Sequence, residues 1–85
     1  MPYPPAVERW RPLVEKYFPQ ELVDKALFVI QGESGGDPGA RGDKGVSIGL
    51  FQVQNNQRFS TRPSTEQLLD PEFNIRYAAE SLGAA

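Results

Sequence analysis

The chain contains no cysteine and no histidine. Without cysteine there is no disulfide to staple so short a domain and no thiolate nucleophile. Without histidine the commonest general base and the usual zinc ligand are both gone. Acid–base chemistry near neutral pH must therefore come from carboxylates. No apolar run approaches the roughly 20 residues that span a bilayer. The opening MPYPPAVERW has neither a basic n-region nor an apolar h-region, so no signal peptide is read. A net charge of −2 argues against a general nucleic-acid binder. DPGARGDKG lacks the alternating acids of a calcium loop, so no metal and no cofactor is expected. Arg41-Gly42-Asp43 spells an adhesion tripeptide, which three residues support only weakly. No repeat and no linker interrupts the chain.

What remains is one domain of 85 residues, 39% hydrophobic and with a single Trp. Pro4 and Pro5 lead into a first amphipathic helix, in which Val7, Trp10, Val14 and Tyr17 recur at steps of three and four, widened by Leu13 and Phe18. Phe18-Pro19 ends it. A second, more apolar helix runs from about Pro19 to Ser34 and stops at Gly35-Gly36. Its composition predicts a central helix buried on most sides. Helical spacing places Glu33 with Ile30, Val29, Ala26 and Leu22, on the buried face. Burial and the negative end of the helix dipole would both raise the pKa of that carboxyl, as a general acid requires.

The glycine- and proline-rich stretch from residue 35 to 47 predicts turns, with Asp37-Pro38-Gly39 the clearest, and a short hairpin. Val46 to Val53 reads as a strand or a short helix. Residues 55–61 read as polar loop. Ser64-Thr65-Glu66-Gln67 reads as a capped helical turn, and Asp70-Pro71 as the N-cap and first residue of a last helix ending at Gly83. Phe73, Tyr77 and Ser81 share one face of it; Ile75, Ala78, Ala79 and Leu82 share another. Between residues 41 and 62 four bases, Arg41, Lys44, Arg58 and Arg62, stand against Asp43 alone. That patch either suits an anionic polymer or reflects small numbers.

Three spaced segments carry a resemblance: Glu33-Ser34-Gly35-Gly36-Asp37-Pro38, then Gly49-Leu50-Phe51-Gln52-Val53, then Asp70-Pro71-Glu72-Phe73-Asn74-Ile75. Together they resemble the soluble lytic transglycosylase and goose-type lysozyme superfamily, whose pattern is E-S-G-G-N-P, G-L-M-Q-I and D-P-x-x-N-I in that order. The resemblance implies a mainly α, lysozyme-like α+β fold of three to four helices with a small β region after the catalytic helix. It covers roughly residues 20–82. It also implies a single domain over 1–85 without the family's usual C-terminal part, including an A-Y-N-A-G segment.

The implied activity is cleavage of the bond between N-acetylmuramic acid and N-acetylglucosamine in peptidoglycan. Glu33 matches the general acid/base. Asp43, in Gly42-Asp43-Lys44-Gly45, matches an Asp that positions water in goose-type lysozymes, whereas Gln54 stands where those enzymes carry a second Asp. Ser34, Ser47, Phe51, Gln52, Gln54 and Tyr77 are the candidate substrate-contacting residues, with Phe51 in place of the family's Met. Phe51 and Tyr77 also read as core, and Asn74 as structural. As a transglycosylase, Glu33 would act as acid and then base to give a 1,6-anhydro product; as an inverting lysozyme, Asp43 would help activate water. The rival reading is a non-catalytic peptidoglycan-binding or phage virion module keeping the fold. Expected partners are glycan strands, without nucleic acid or membrane insertion, and a second copy or second chain over the last helix. The expected place of action is the bacterial cell wall, reached through a phage, a holin or a larger exported protein.

Overall fold

A computed structural model describes the backbone of residues 3–55 and 63–83, and side chains as far as Ser81. The chain opens with α1 (Pro5–Glu8) and α2 (Arg11–Tyr17). These replace the single helix read from the amphipathic stripe. Pro12 is the reason: it has no N–H to give to Glu8, and its ring would strike that carbonyl, so the chain breaks at Arg9-Trp10. Most of the stripe survives the break: Val7, Trp10, Val14 and Phe18 are buried, and Leu13 and Tyr17 are half-buried.

After Pro19 a 3₁₀ turn (Gln20–Leu22) leads into α3 (Val23–Ser34). Ala26, Leu27 and Ile30 form its inner face, which packs on α1 and α2. Its end is where the glycines predict it. Gly35 adopts φ 64° as the left-handed cap, and its N–H donates to the carbonyls of Ile30 and Gln31. The helix is nevertheless not buried on most sides. Phe28 is 67% exposed, and Lys25, Gln31 and Glu33 are exposed with it. Hydrophobic composition counts apolar residues; burial also requires an element to cover each of them.

The turn-rich stretch folds as expected into a small antiparallel sheet. The Ala40 N–H donates to Asp37 O at 3.1 Å, closing the turn at Asp37-Pro38-Gly39. Three two-residue strands follow in the order β1 (Arg41–Gly42), β2 (Ser47–Ile48) and β3 (Val53–Gln54). Arg41 pairs with Ile48, and Ile48 with Val53. Thus the segment Val46 to Val53 is a strand, a turn and the start of another strand.

In α4 (Thr65–Leu69) Ser64 and Gln67 form the expected capping box, each side chain bonded to the other's backbone N–H at 3.1 and 2.9 Å. Asp70 then caps α5 (Pro71–Ala78), accepting from the N–H groups of Glu72 and Phe73. The helix widens into a π turn over Ala79–Gly83. Ile75, Ala78 and Ala79 face the core, while Phe73 and Tyr77 stack on each other outside it. Lys16 and Tyr17 of α2 meet Glu72 at 2.8 and 2.5 Å and tie α2 to α5. Among the described residues no helix is long and apolar enough to cross a membrane.

Candidate functional site

Two segments hold the site residues read from the sequence. The first is the end of α3. Its axis is fixed by burial of the inner face, and its last turn by the glycine cap. Gly36 (φ 88°) approaches α1 so closely that a Cβ would overlap the Ala6 carbonyl. The Gly36 carbonyl in turn accepts a buried hydrogen bond from Trp10 Nε1 at 2.8 Å. Ser34 is absorbed locally: its hydroxyl donates to Ile30 O and accepts from Gly36 N–H, both at 3.2 Å. Glu33, between these anchors, is exposed, which corrects its assignment to the buried face. It lies at the edge of the stripe defined by Ala26 and Ile30, in the final turn, beyond the packing of the inner face. The carboxylate therefore keeps its water.

The second segment is the hairpin 40–54. Asp43, Lys44 and Gln52 all have positive φ, at 51°, 60° and 50°. Three non-glycine residues in the left-handed region within ten positions carry conformational strain, which surrounding bonds must hold. Those bonds are present. Asp43 Oδ2 accepts from the hydroxyl of buried Ser47 at 2.5 Å. Gln52 Nε2 donates to the carbonyls of Ala40 and Gly49 at 3.1 and 2.9 Å. Its Oε1 lies 2.6 Å from where a Cβ on Gly42 would be, so a side chain there would push the Gln52 amide aside. Asp43, Ser47 and Gln52 are thus brought together around Gly42.

The other candidates stand differently. Phe51 is buried and stacks on Phe18, with ring centroids 5.7 Å apart, so its ring belongs to the core. Gln54 is exposed on β3, paired with Ser47. Tyr77 stacks on Phe73 with centroids 6.2 Å apart on α5. Of the cationic patch, Arg41 and Lys44 are exposed, while Arg58 and Arg62 lie outside the described residues. An open groove of about 410 Å³ between the end of α2 and α5 is lined by Lys16, Tyr17, Phe18, Arg76 and Glu80 and contains none of the site residues.

The residues that sequence reading undervalued are the ones holding this frame. Trp10 is core, as its place in the stripe predicts, and its indole N–H also pins the backbone three residues after Glu33. Asn74 is fully buried and bonds to Phe51 N–H, Ile48 O and Leu68 O. The signal for Asn74 is its place in the third motif, where it reads as structural. Chemically, the described residues offer one exposed carboxylate on a rigid helix end and a second on a hydrogen-bonded hairpin.

The family model for the transglycosylase SLT domain matches residues 16–85. The match includes α3, the hairpin, α4 and α5. Comparison with curated proteins and with solved structures gives no match.

Proposed function

Because the chain belongs to the transglycosylase SLT domain family, we propose that it cleaves the bond between N-acetylmuramic acid and N-acetylglucosamine in peptidoglycan, with Glu33 as general acid and then general base. The observation carrying this reading is Glu33 itself. It is a solvent-accessible carboxylate in the last turn of α3, followed at once by the Gly35 cap and the Trp10–Gly36 bond that fix the backbone, within the segment matched to the family. A protonated Glu33 gives its proton to the glycosidic oxygen as the C1–O bond breaks. The resulting carboxylate then takes the proton from the C6 hydroxyl while O6 bonds to C1. The products are a free 4-hydroxyl and a 1,6-anhydro sugar, and no water is consumed.

Transglycosylation is favoured over hydrolysis by the state of Asp43. Its carboxylate already accepts from Ser47 and serves to hold a strained loop, and Gln54 supplies no second carboxylate. The non-catalytic alternative draws on the same exposure of Glu33. Mass spectrometry of digested peptidoglycan separates the three: anhydro-muropeptides are expected, reducing ends with an added water would assign hydrolysis, and no fragments would assign a binding module.

Glycan strands at the bacterial cell wall are the proposed partner, with delivery by a phage, a holin or a larger exported protein. A second copy or second chain over the last helix is a further proposed partner, and sedimentation over a concentration series would show that association.

A further inference from the structure

Asn74 is a polar side chain with no solvent exposure, in a core where a leucine of similar size would pack without needing partners. Its amide is completely engaged. Nδ2 donates to Ile48 O and to Leu68 O, both at 3.0 Å, and Oδ1 accepts from Phe51 N–H at 2.9 Å. One side chain on α5 therefore joins the end of β2, the turn after it, and α4. The bonds to Ile48 O and Phe51 N–H bracket Gly49 and Leu50, as a neighbouring strand would. A Cβ on Gly49 would overlap both Asn74 Nδ2 and the Leu68 carbonyl, so the fit is to backbone alone.

The turn that Asn74 holds is the one carrying Gln52. Gly49 O accepts from Gln52 N–H at 3.0 Å and from its Nε2 at 2.9 Å. The same Nε2 reaches Ala40 O, and Oε1 lies against Gly42, the residue before Asp43. Hydrogen bonds and close packing thus run unbroken from Asn74, through the turn 49–52 and the Gln52 amide, to the strand that precedes the Asp43 loop. A fully satisfied buried polar network specifies one geometry where an apolar contact would permit several.

We propose that Asn74 is a positioning residue: it sets the conformation of the turn 49–52, and through Gln52 the placement of the 40–45 segment. The inference rests on the glycosidase reading for its kinetic consequence but not for its structural one. The test compares Asn74→Ala, Gln52→Ala and the double variant for turnover of peptidoglycan fragments, at a temperature where circular dichroism shows each folded. Asn74→Ala should lower kcat/KM about tenfold or more, mostly through KM, since the substituted residue lies outside the reacting atoms. The double variant should be no worse than the poorer single variant, because both act on one element. Additive losses, or parent-level kcat/KM per folded molecule with only a lower Tm, would overturn the proposal.

Asn74→Asp supplies a second variant. A protonated Asp can accept from Phe51 N–H while donating to one carbonyl; an ionised Asp cannot donate and faces two carbonyl oxygens. Its activity relative to the parent should fall as pH rises, and a flat ratio would count against the role. Amide exchange of the unsubstituted protein stands independently of catalysis. The Phe51 and Gln52 N–H groups should exchange slowly and together, and rapid exchange at Phe51 would overturn the proposal even if no variant folds. An inactive parent with slow, coupled exchange would sink the glycosidase reading and leave the positioning of the turn standing.

Discussion

The end of α3 and the hairpin 40–54 each carry a carboxylate of the candidate site, and they hold it by opposite means. At the helix end what is fixed is chiefly backbone, by the Gly35 cap, the close approach of Gly36 to Ala6, the indole bond to the Gly36 carbonyl and the Ser34 hydroxyl on Ile30 O and Gly36 N–H. The Glu33 side chain beyond them is exposed. In the hairpin the backbone is strained at Asp43, Lys44 and Gln52, and side chains hold it: Ser47 on Asp43, Gln52 on two carbonyls, Asn74 behind the turn. The difference is instructive. A helix delivers a Cα position and leaves its last side chain free to move a proton, whereas a short loop must commit its side chains to staying in place. The exposed position of Glu33 is the one the proposed acid/base role draws on, and the hydrogen-bonded Asp43 is the one proposed as support.

Substitutions that attack the frame should show this asymmetry. The largest effect is expected at Gly36→Ala, where a Cβ would overlap the Ala6 carbonyl and the φ of 88° is unfavourable. We expect a loss of about 3 kcal/mol or more, read by denaturant unfolding. Gly35→Ala, one residue away with φ 64° and open space around it, should cost only about 1 kcal/mol. Equal losses at the two glycines would mean that the contact with α1 does not anchor the helix end.

Next comes Trp10→Phe, which keeps a buried ring and leaves the Gly36 carbonyl without its donor. A cost of about 2 kcal/mol is expected, measured the same way. The smallest effect lies away from both regions, and its signature is pH. The Arg11 side chain, with the Tyr3 N–H, holds Glu8 at a pKa of about 2 against an ordinary value of 4.5. The folded pKa is the lower one, so the unfolded chain takes up the proton first. The contribution is complete above about pH 4.5 and fades as pH falls towards about 2. Glu8→Gln should flatten the stability profile in that window, by a modest amount because the pair is solvent-accessible. An unchanged profile would mean that the bonds do not persist in solution.

These contrasts also mark what the amino-acid sequence could reveal. Gly35, the Ser64–Gln67 box and Asp70-Pro71 act on neighbours within a few positions, so their consequences were legible and the helix ends fell where expected. Pro12 was equally local, but a regular apolar stripe outweighed it in the reading, and the break before α2 went unseen. Glu33 shows the limit of periodicity. Spacing tells which side of a helix a residue is on, but it cannot tell whether another element covers that turn. Asn74 shows a second limit, since its partners at Phe51 and Ile48 lie 23 and 26 positions away and no local pattern announces them.

The central claim is that Glu33 is free to do chemistry because the frame around it needs nothing from its side chain. The direct measurement is Glu33→Gln, assayed together for peptidoglycan cleavage and thermal unfolding. The account predicts that cleavage falls by about a hundredfold or more, while Tm stays within about 2 °C of the parent, as expected for an exposed and nearly isosteric change. Cleavage within tenfold of the parent, or a Tm collapse that explains the lost activity, would contradict it.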